Sequence, residues 1–417
     1  MVKFDIYPEQ NRKALMTTFI QLAIILAIIL FFAKVGGALS IRMGQPSVFG
    51  ELLVGIILGP SVINLFQLPF ITSPEVATVV KEMGEIGVLL LMFLAGLELH
   101  LEELSQNKSA SAYGGILGVI TPIILGYIVG EFFNLDNTHS LFLGLTLGAT
   151  SVSISAQTLM ELKVLRSRVG LGLLGAAVFD DMLVILFLSI FMGLQTGGNL
   201  VTILLVVLKM VAFLVGSVYL GLKGIPWISR RVNRLPISQG PLTIAIVIML
   251  IYGIGAELVG GMAAITGAFI AGLMFSRTKE KSEIDRGLRA ISYSFFVPIF
   301  FIGIGLSVNI RELDVNAFWL MLSISVAGVI GKVVGSGLGA KLGKFTWLES
   351  LQLGIGMISR GEVGLIVASV GLQANLLSKD LFSSIVGMVI ITTLITPPLL
   401  RASFGKPKQE KAIPTTN

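Results

Sequence analysis

The chain has 417 residues, of which 54% are hydrophobic and only 13% are charged, whereas a soluble globular protein usually carries about 25% charged residues. A mean hydropathy of +0.91 excludes an ordinary water-soluble fold and predicts a bundle of membrane-spanning helices that meet lipid or each other. The absence of cysteine excludes disulfides and thiolate metal sites, and the net charge of +6 comes from loops, which favours a lipid bilayer over nucleic acid as the partner.

Windows of about 20 apolar residues predict thirteen spanning helices. They lie near residues 14–33, 46–66, 83–101, 110–131, 139–160, 167–193, 200–222, 240–257, 259–276, 291–308, 316–340, 349–373 and 380–400. The division between spans eight and nine is the least distinct, because one hydrophobic stretch continues across Glu257 to Gly261. We therefore expect a membrane domain over residues 14–400, a short segment 1–13 before it and a polar tail at 401–417.

The basic residues are divided unequally between the two sides of the membrane. With thirteen spans, 21 lysines and arginines lie on the side of the C-terminal tail and 6 lie on the other side. The positive-inside rule then places the C-terminus in the cytoplasm and residues 1–13 outside. Merging spans eight and nine would destroy this alternation, so the charges favour thirteen spans.

Span five combines glycines with hydroxyl side chains at mid-membrane. The hydroxyls belong to Thr150, Ser151, Ser153 and Ser155. This composition favours an interrupted helix whose free carbonyls and hydroxyls bind an ion, and hydroxyls that only pack between helices are the alternative. Span twelve, with four glycines between Gly354 and Gly364, is the expected counterpart in an inverted repeat.

Span six carries Asp180 and Asp181 near its centre. Adjacent side chains on a helix diverge by about 100°, so one carboxylate can face a basic residue while the other faces a cavity. Burial and the neighbouring carboxylate favour the protonated acid, whereas a nearby ammonium group favours the carboxylate. A carboxylate that takes up either a proton or a hard cation, but not both, meets the minimal requirement for antiport.

A glycine pattern in the same span formally matches a dinucleotide-binding fingerprint. It runs from Gly170 through Gly172 to Gly175. Because it lies inside a membrane helix with no preceding strand, helix packing explains it better. The chain has no Walker A pattern and no nucleophile–base set either, so we expect no nucleotide, no resident cofactor and no enzymatic activity.

Further charged residues interrupt the apolar spans. Lys209 lies in span seven, Lys332 in span eleven, and Arg360 and Glu362 in span twelve. Charge at mid-span costs several kcal/mol and points to function by default. Buried ion pairs that only fix helix packing are the alternative, although such pairs seldom add net stability over apolar contacts. Lys209 can extend its ammonium group to the membrane surface, so a structural role is expected for it.

Five motifs occur in order along the membrane region. They are Gly50-Glu-Leu-Leu-Val-Gly-Ile-Ile-Leu-Gly-Pro-Ser61, Phe93-Leu-Ala-Gly-Leu-Glu-Leu99, Thr150-Ser-Val-Ser153, Asp180-Asp181 and Arg360-Gly-Glu362. With this order and spacing the chain resembles the monovalent cation:proton antiporter superfamily, and within it the bacterial NapA/GerN type. The resemblance covers essentially the whole membrane region.

The resemblance implies an all-α, polytopic NapA/NhaA-like fold with inverted repeats. Two discontinuous helices, here spans five and twelve, would cross at mid-membrane. It further implies a homodimer, in which each protomer has a mobile core of about residues 110–193 and 316–400. The remaining helices would form the dimerisation scaffold.

The resemblance also implies roles for individual residues. Asp181 would carry the ion and the proton, with Thr150 as a further cation ligand and Ser151 lining the ion path. Asp180 would pair with Lys332. The crossing of the two discontinuous helices would be stabilised by Arg360 and Glu362.

The expected function is secondary active exchange of Na⁺, or of Li⁺, for H⁺ by alternating access, with a role in pH homeostasis. The resemblance implies that an aspartate pair makes the exchange electrogenic, with two protons per Na⁺. A K⁺/H⁺ or mixed-cation exchanger is the alternative within the same family. A cation channel or a non-transporting sensor is the more distant alternative, and it is disfavoured because the polar residues are confined to mid-membrane.

Overall fold

The computed structural model describes residues 17–43, 45–99, 107–195, 200–232, 236, 238–306, 315–373 and 376–405. Within these ranges the chain is helical and contains no β-strand. The predicted segment 1–13 and most of the predicted tail, residues 406–417, lie outside the described residues. The all-α class predicted from composition is therefore confirmed for the described part of the chain.

The described residues form sixteen α-helices. They are α1 (Thr18–Arg42), α2 (Ser47–Leu58), α3 (Glu75–Glu98), α4 (Lys108–Phe132), α5 (Asn137–Gly148), α6 (Val152–Glu161), α7 (Arg168–Gln195), α8 (Leu200–Val232), α9 (Gly240–Gly255), α10 (Ala264–Phe275), α11 (Lys281–Ile291), α12 (Val297–Leu306), α13 (Val315–Leu342), α14 (Trp347–Gly356), α15 (Glu362–Gln373) and α16 (Lys379–Phe404). A π-helical turn at Ala256–Gly260 extends α9, and another at Ser292–Phe296 joins α11 to α12.

Much of the helical surface is apolar and faces outward. In the described part of the chain, nine helical segments are long and apolar enough to cross a membrane. On α8, for example, Leu204, Val215 and Leu220 are each about two-thirds exposed, which is the arrangement of side chains that meet lipid. The protein is therefore a polytopic membrane protein, as its composition predicted.

Several predicted boundaries are wrong by more than a turn. The second span was expected to reach residue 66, but α2 ends at Leu58, because Pro60 cannot continue the backbone hydrogen-bond ladder. Helix α3 begins at Glu75, eight residues before the expected start of span three. The segment expected to start at residue 291 begins at Lys281, since the polar helix α11 runs continuously into α12.

The chain is divided between the expected spans eight and nine. Gly261 adopts φ +60°, a conformation that glycine tolerates and side chains with a Cβ disfavour. The helical segment α9 with its π turn ends at Gly260, and α10 begins at Ala264. A left-handed glycine thus separates the two helices where hydropathy alone showed one continuous stretch.

The helices pack in two groups. In the first group α4 and α13 form the most extensive contact, and α5, α7, α14, α15 and α16 pack around them. In the second group α3 packs against α10 and α12, and α2 packs against α1 and α12. Helix α6 contacts α7 and α16 of the first group and α2 and α3 of the second, so it lies where the two groups meet.

Glycines allow the closest approach within the second group, between α3 and α10. A Cβ built on Gly272 would lie 2.0 Å from the carbonyl oxygen of Phe93, and a Cβ on Gly96 would lie 2.1 Å from that of Phe269. Small residues at such crossings let helix backbones meet in a membrane, where no hydrophobic effect drives helices together.

We expect Gly272→Ala to destabilise the protein by about 1–3 kcal/mol, since the added methyl group must push two backbones apart. The matched control is Gly216→Ala on α8, where a built Cβ meets nothing within 4 Å and the better helix former should be neutral or slightly stabilising. Thermal unfolding in detergent measures both. Equal melting temperatures for the two variants would contradict the close α3–α10 packing.

Candidate functional site

Two helical segments are interrupted and meet at their interruptions. Helix α5 ends at Gly148 and α6 begins at Val152, while α14 ends at Gly356 and α15 begins at Glu362. The backbone N–H of Ser151 donates to the carbonyl of Ser359 at 2.7 Å, which joins the two extended stretches. A Cβ on Gly361 would lie 2.6 Å from the side chain of Ser151, so only glycine fits this contact without displacement.

The first interruption is shorter than the stretch from Thr150 to Ser155 that the hydroxyl residues predicted. It covers residues 149–151, whereas Ser153 and Ser155 belong to α6. Of the predicted ion-path residues, Thr150 and Ser151 therefore lie in the extended stretch. Ser155 instead uses its hydroxyl to donate to the carbonyl of Gly356, at 2.5 Å, where α14 ends.

Arg360 lies at the centre of the crossing and is fully buried. Its guanidinium donates to the carbonyl oxygens of Leu147 at 2.9 Å, Gly328 at 3.0 Å and Ile358. The last carbonyls of a helix carry partial negative charge and have no partner within the helix. Arg360 therefore neutralises the C-terminal end of α5 and supports the extended stretch in which it lies.

Glu362, the other residue expected to stabilise the crossing, begins α15. Its side chain lies outside what the structure describes, so its role stays a prediction. A carboxylate at the first position of a helix is in general favourable, because the helix N-terminus carries partial positive charge.

Asp180 and Lys332 form a buried ion pair between α7 and α13. The ammonium group of Lys332 donates to Asp180 Oδ1 at 2.5 Å, and both side chains are fully buried. A lone charge at this depth would cost several kcal/mol, so each residue makes the other's charge possible. The charge of Asp180 is thereby neutralised by a lysine on α13, a helix of the same packing group as α7.

Asp181 points in a different direction from Asp180. Its side chain is 4% exposed, and Thr266 on α10 donates to its Oδ2 at 3.2 Å. A small cavity of about 10 Å³ adjoins the carboxylate, lined by Met92, Val152, Leu174, Ala177, Val178, Ile265, Thr266 and Phe269. This volume is about that of one water molecule. Since the lining comes from α6 and α7 on one side and α3 and α10 on the other, Asp181 lies between the two packing groups.

Three buried oxygen atoms near the crossing lack a hydrogen-bond partner in the described structure. Within the described residues, Thr150 Oγ1, Asp180 Oδ2 and Ser359 Oγ are buried and make no hydrogen bond of good geometry, although Thr150 lies close enough to Asp180 to interact with its carboxylate. Buried polar atoms normally find a partner, and hard oxygen atoms are the ligands that hard cations prefer. The described residues hold no group of three or more His, Asp or Glu side chains arranged as a metal centre.

Reasoning from the sequence missed two of these residues, Thr266 and Ser359. Thr266 is the only hydroxyl in the otherwise apolar helix α10, and that isolation was the available signal. Ser359 directly precedes Arg360 in a motif that drew attention to its charges alone. Lys209 lies on the exposed face of α8 and does not join the buried charges.

The chain as a whole is similar to known membrane transporters. A family model described as "Sodium/hydrogen exchanger, transmembrane" matches residues 25–402. The chain is 42% identical over 388 residues to the Na(+)/H(+)-K(+) antiporter GerN of Bacillus cereus, covering 93% of this chain and 97% of that protein. It is 35% identical over 381 residues to a Na(+)/H(+) antiporter of Enterococcus hirae, covering 90% and 96%.

Solved structures of the sodium proton antiporter MjNhaP1 from Methanocaldococcus jannaschii share the fold. Two of them superpose with TM-scores of 0.64 and 0.71, at 18% and 17% sequence identity, each covering 92% of this chain and 96% of theirs.

Removing only one partner of the Asp180–Lys332 pair should destabilise the protein. We expect Lys332→Met to destabilise the protein by about 3–5 kcal/mol, because it leaves Asp180 as an unpaired buried charge. The double variant Lys332→Met/Asp180→Leu should recover much of that loss, since it removes both charges. Lys209→Met on α8 is the matched control and should unfold near the wild-type temperature. Thermal unfolding of these proteins, together with the single variant Asp180→Leu, tests this. If the losses of the two single variants add up to the loss of the double variant, the two residues are not coupled.

Proposed function

The chain belongs to the sodium/hydrogen exchanger family, and from this premise we propose that it exchanges Na⁺ for H⁺ across a membrane, with Asp181 as the shared carrier. It is a transporter and not an enzyme. The observation that carries the proposal is the different surroundings of two adjacent carboxylates. Asp180 is neutralised by Lys332 at 2.5 Å, whereas Asp181 adjoins a cavity between the two packing groups.

The chemistry of exchange follows from what Asp181 can bind. A carboxylate in a nearly closed, low-dielectric site must neutralise its charge with a proton or with a cation. Thr266 Oγ1 is already within hydrogen-bond distance, and the partnerless hydroxyl of Thr150 lies in the adjoining interruption. We propose that these oxygens complete the shell of a partly dehydrated Na⁺. Ser151 and Ser359 would line the path to it.

Alternating access is supported by the position of Asp181 between the two packing groups. We propose that the group containing residues 110–193 and 316–400 moves as a core against the other helices, which form the scaffold. Such a movement changes the contacts of Asp181 with α10, while Asp180, Lys332 and Arg360 move together. The separation of contacts into two groups joined through α6 supports this division.

The aspartate pair supports electrogenic exchange of two protons per Na⁺. When Na⁺ leaves, one proton would neutralise Asp181, and a second proton would be bound by the Asp180–Lys332 pair as that pair separates. Two coupled groups titrate as a unit, so the second proton belongs to the pair.

The finer topology is also a proposal. The nine long apolar segments, with α2, α3, α10 and the α14–α15 pair, account for thirteen spans. The paired interruptions of α5–α6 and α14–α15 support inverted repeats with crossing discontinuous helices. The charge bias of the loops supports a cytoplasmic C-terminus in a bacterial inner membrane, and we expect a homodimer assembled through the scaffold.

A K⁺/H⁺ or mixed exchange is the second candidate. The observation that favours it is the name of a relative 42% identical to this chain, a Na(+)/H(+)-K(+) antiporter. Proteoliposome transport with Na⁺, Li⁺ and K⁺ supplied one at a time decides between them.

Asp181→Asn should abolish cation-driven proton movement, because an amide neither releases a proton nor balances a cation. The variant should still fold and insert, since Asn keeps the size of the side chain. The matched control is Glu85→Gln, which changes an exposed carboxylate in a surface pair with Lys81 and should leave exchange near wild type. The measurement is internal pH in proteoliposomes after addition of Na⁺. Normal exchange by Asp181→Asn would refute the shared carrier.

Competition between proton and cation should appear in the pH dependence of the apparent KM for Na⁺. Once the pH falls below the value at which the site takes up a proton, each further unit should raise KM by up to about tenfold per competing proton. Above that value KM should level off, since the carboxylate is already free. Transport measured between about pH 6 and pH 9 tests this. A KM that stays constant while proton transport continues would place proton and cation at separate sites.

A further inference from the structure

A second, larger cavity lies apart from Asp181. Its volume is about 490 Å³, and it is enclosed by α1, α2, α6 and the segment from α11 to α12. Its polar lining consists mainly of Lys34, Glu51, Gln157, Glu161, Arg289 and Tyr293. Ile41, which also lines it, is 61% exposed, so the cavity reaches the protein surface. It can hold many water molecules, unlike the cavity at Asp181.

Two buried oxygen-bearing side chains line this cavity without a partner for their oxygens. Glu51 is 7% exposed, and among the described residues its carboxylate makes no hydrogen bond or close ion pair. Gln157 is 5% exposed, and its Nε2 donates to Glu161 Oε1 at 2.8 Å. Gln157 Oε1 remains buried with no hydrogen bond in the described structure. Unpaired acceptors at this depth are costly unless a proton, water or cation satisfies them.

The positive groups around the cavity direct their hydrogen bonds elsewhere. Lys34 on α1 attracts Glu51 electrostatically, but its ammonium donates to the carbonyl of Tyr293 at 2.6 Å. Arg289 on α11 donates to Asp285 at 2.9 Å and to Glu98. Lys34 and Arg289 are therefore close to the cavity, but neither donates a hydrogen bond to the carboxylate of Glu51.

The third oxygen group of the cavity, Glu161, is held in place. Its carboxylate accepts from the backbone N–H of Ser47 at 2.6 Å and from the Ser47 hydroxyl at 2.5 Å. These bonds cap the N-terminus of α2, four residues before Glu51 on the same helix. Glu161 repels Glu51 electrostatically, which adds to the need for a neutralising charge between them.

We propose that Glu51, together with Gln157 and Glu161, forms a second site for a monovalent cation, at which a proton competes. The ligands would be carboxylate and amide oxygens, which suit Na⁺ or K⁺. The role assigned to this site rests on the proposed function, since it would load cations on the way to Asp181. Helix α6 connects the two sites: its first turn lines the Asp181 cavity, and its last turn lies about 15 Å away at the second site.

Binding by the purified protein in detergent tests the site separately from transport. The probe is Na⁺ alone, with choline at the same ionic strength as reference, and the readout is the shift in melting temperature. Asp181→Asn should keep a Na⁺-specific shift, and Asp181→Asn/Glu51→Gln should lose it. Asp181→Asn/Glu85→Gln is the matched control and should keep it. The proposal is overturned if Asp181→Asn shows no Na⁺ response, or if the response survives Glu51→Gln. Transport by Asp181→Asn, measured independently, reports on the proposed function alone.

A second measurement leaves Glu51 intact and does not depend on how its variant folds. The chain has no natural cysteine, so Ala38→Cys places a single thiol at an exposed position in the cavity wall. A cationic methanethiosulfonate should modify it several-fold faster than an anionic one of similar size, and Na⁺ should slow the cationic reagent more than choline does. Equal rates for both reagents, or no effect of Na⁺, would overturn the proposal.

Transport kinetics give the consequence for exchange. Glu51→Gln should raise the apparent KM for Na⁺ several-fold and leave kcat at saturating Na⁺ within about twofold, because Asp181 still performs the exchange. A loss of kcat with unchanged KM would assign Glu51 to the moving machinery and overturn its role as a loading site.

Discussion

The cost of charge away from water is the constraint on which the centre of this protein depends. Two interrupted helices place four helix ends inside the molecule, and each end exposes backbone groups that have no intrahelical partner. The guanidinium of Arg360 donates to a carbonyl at the C-terminal end of α5, and the hydroxyl of Ser155 donates to a carbonyl at the C-terminal end of α14. The interruptions also bond to each other through Ser151 and Ser359. The irregular backbone of the two interruptions is therefore supported by a buried guanidinium group and by serine side chains and backbone groups.

The same constraint separates the roles of the two aspartates. Adjacent residues on α7 diverge by about 100°, which directs Asp180 towards Lys332 on α13 and Asp181 towards Thr266 on α10. The charge of Asp180 is neutralised by the ammonium group of Lys332, which lies in the same packing group. Asp181 lies at the boundary between the groups, where we propose that a proton or a cation neutralises it. The proposed role of Asp181 as the carrier rests on this difference between two chemically identical neighbours.

Helix α6 links the two cavities of the molecule. Its first turn contributes Val152 to the cavity at Asp181, and its last turn contributes Glu161, which caps α2 of the other packing group. A displacement of the core against the scaffold would thus alter both places together. Gly96 and Gly272 allow close contact between α3 and α10, and in the proposed mechanism both helices belong to the scaffold.

Much of this was determined by the sequence alone. Composition established a membrane protein, because so many apolar residues and so few charges do not suit a water-soluble fold. The family was indicated by a resemblance, carried by the order and spacing of five motifs. The positions of Asp180, Asp181, Lys332 and Arg360 stood out because charge within a span is expensive wherever the span lies. The glycines and hydroxyls of spans five and twelve indicated interruptions, although only approximately, since Ser153 and Ser155 proved to be helical.

Only the tertiary structure decided which groups meet. Thr266 and Asp181 are 85 residues apart, and Ser155 and Gly356 are 201 apart; no periodicity specifies such pairs, because they follow from how helices cross. The end of α2 at Leu58 and the early start of α3 likewise depend on the local path of the chain, which hydropathy does not resolve. The cavity beside Glu51 is formed by α6 together with α1, α2 and the segment from α11 to α12. A cavity is the space that packed side chains leave, so it exists only once all of them have been placed.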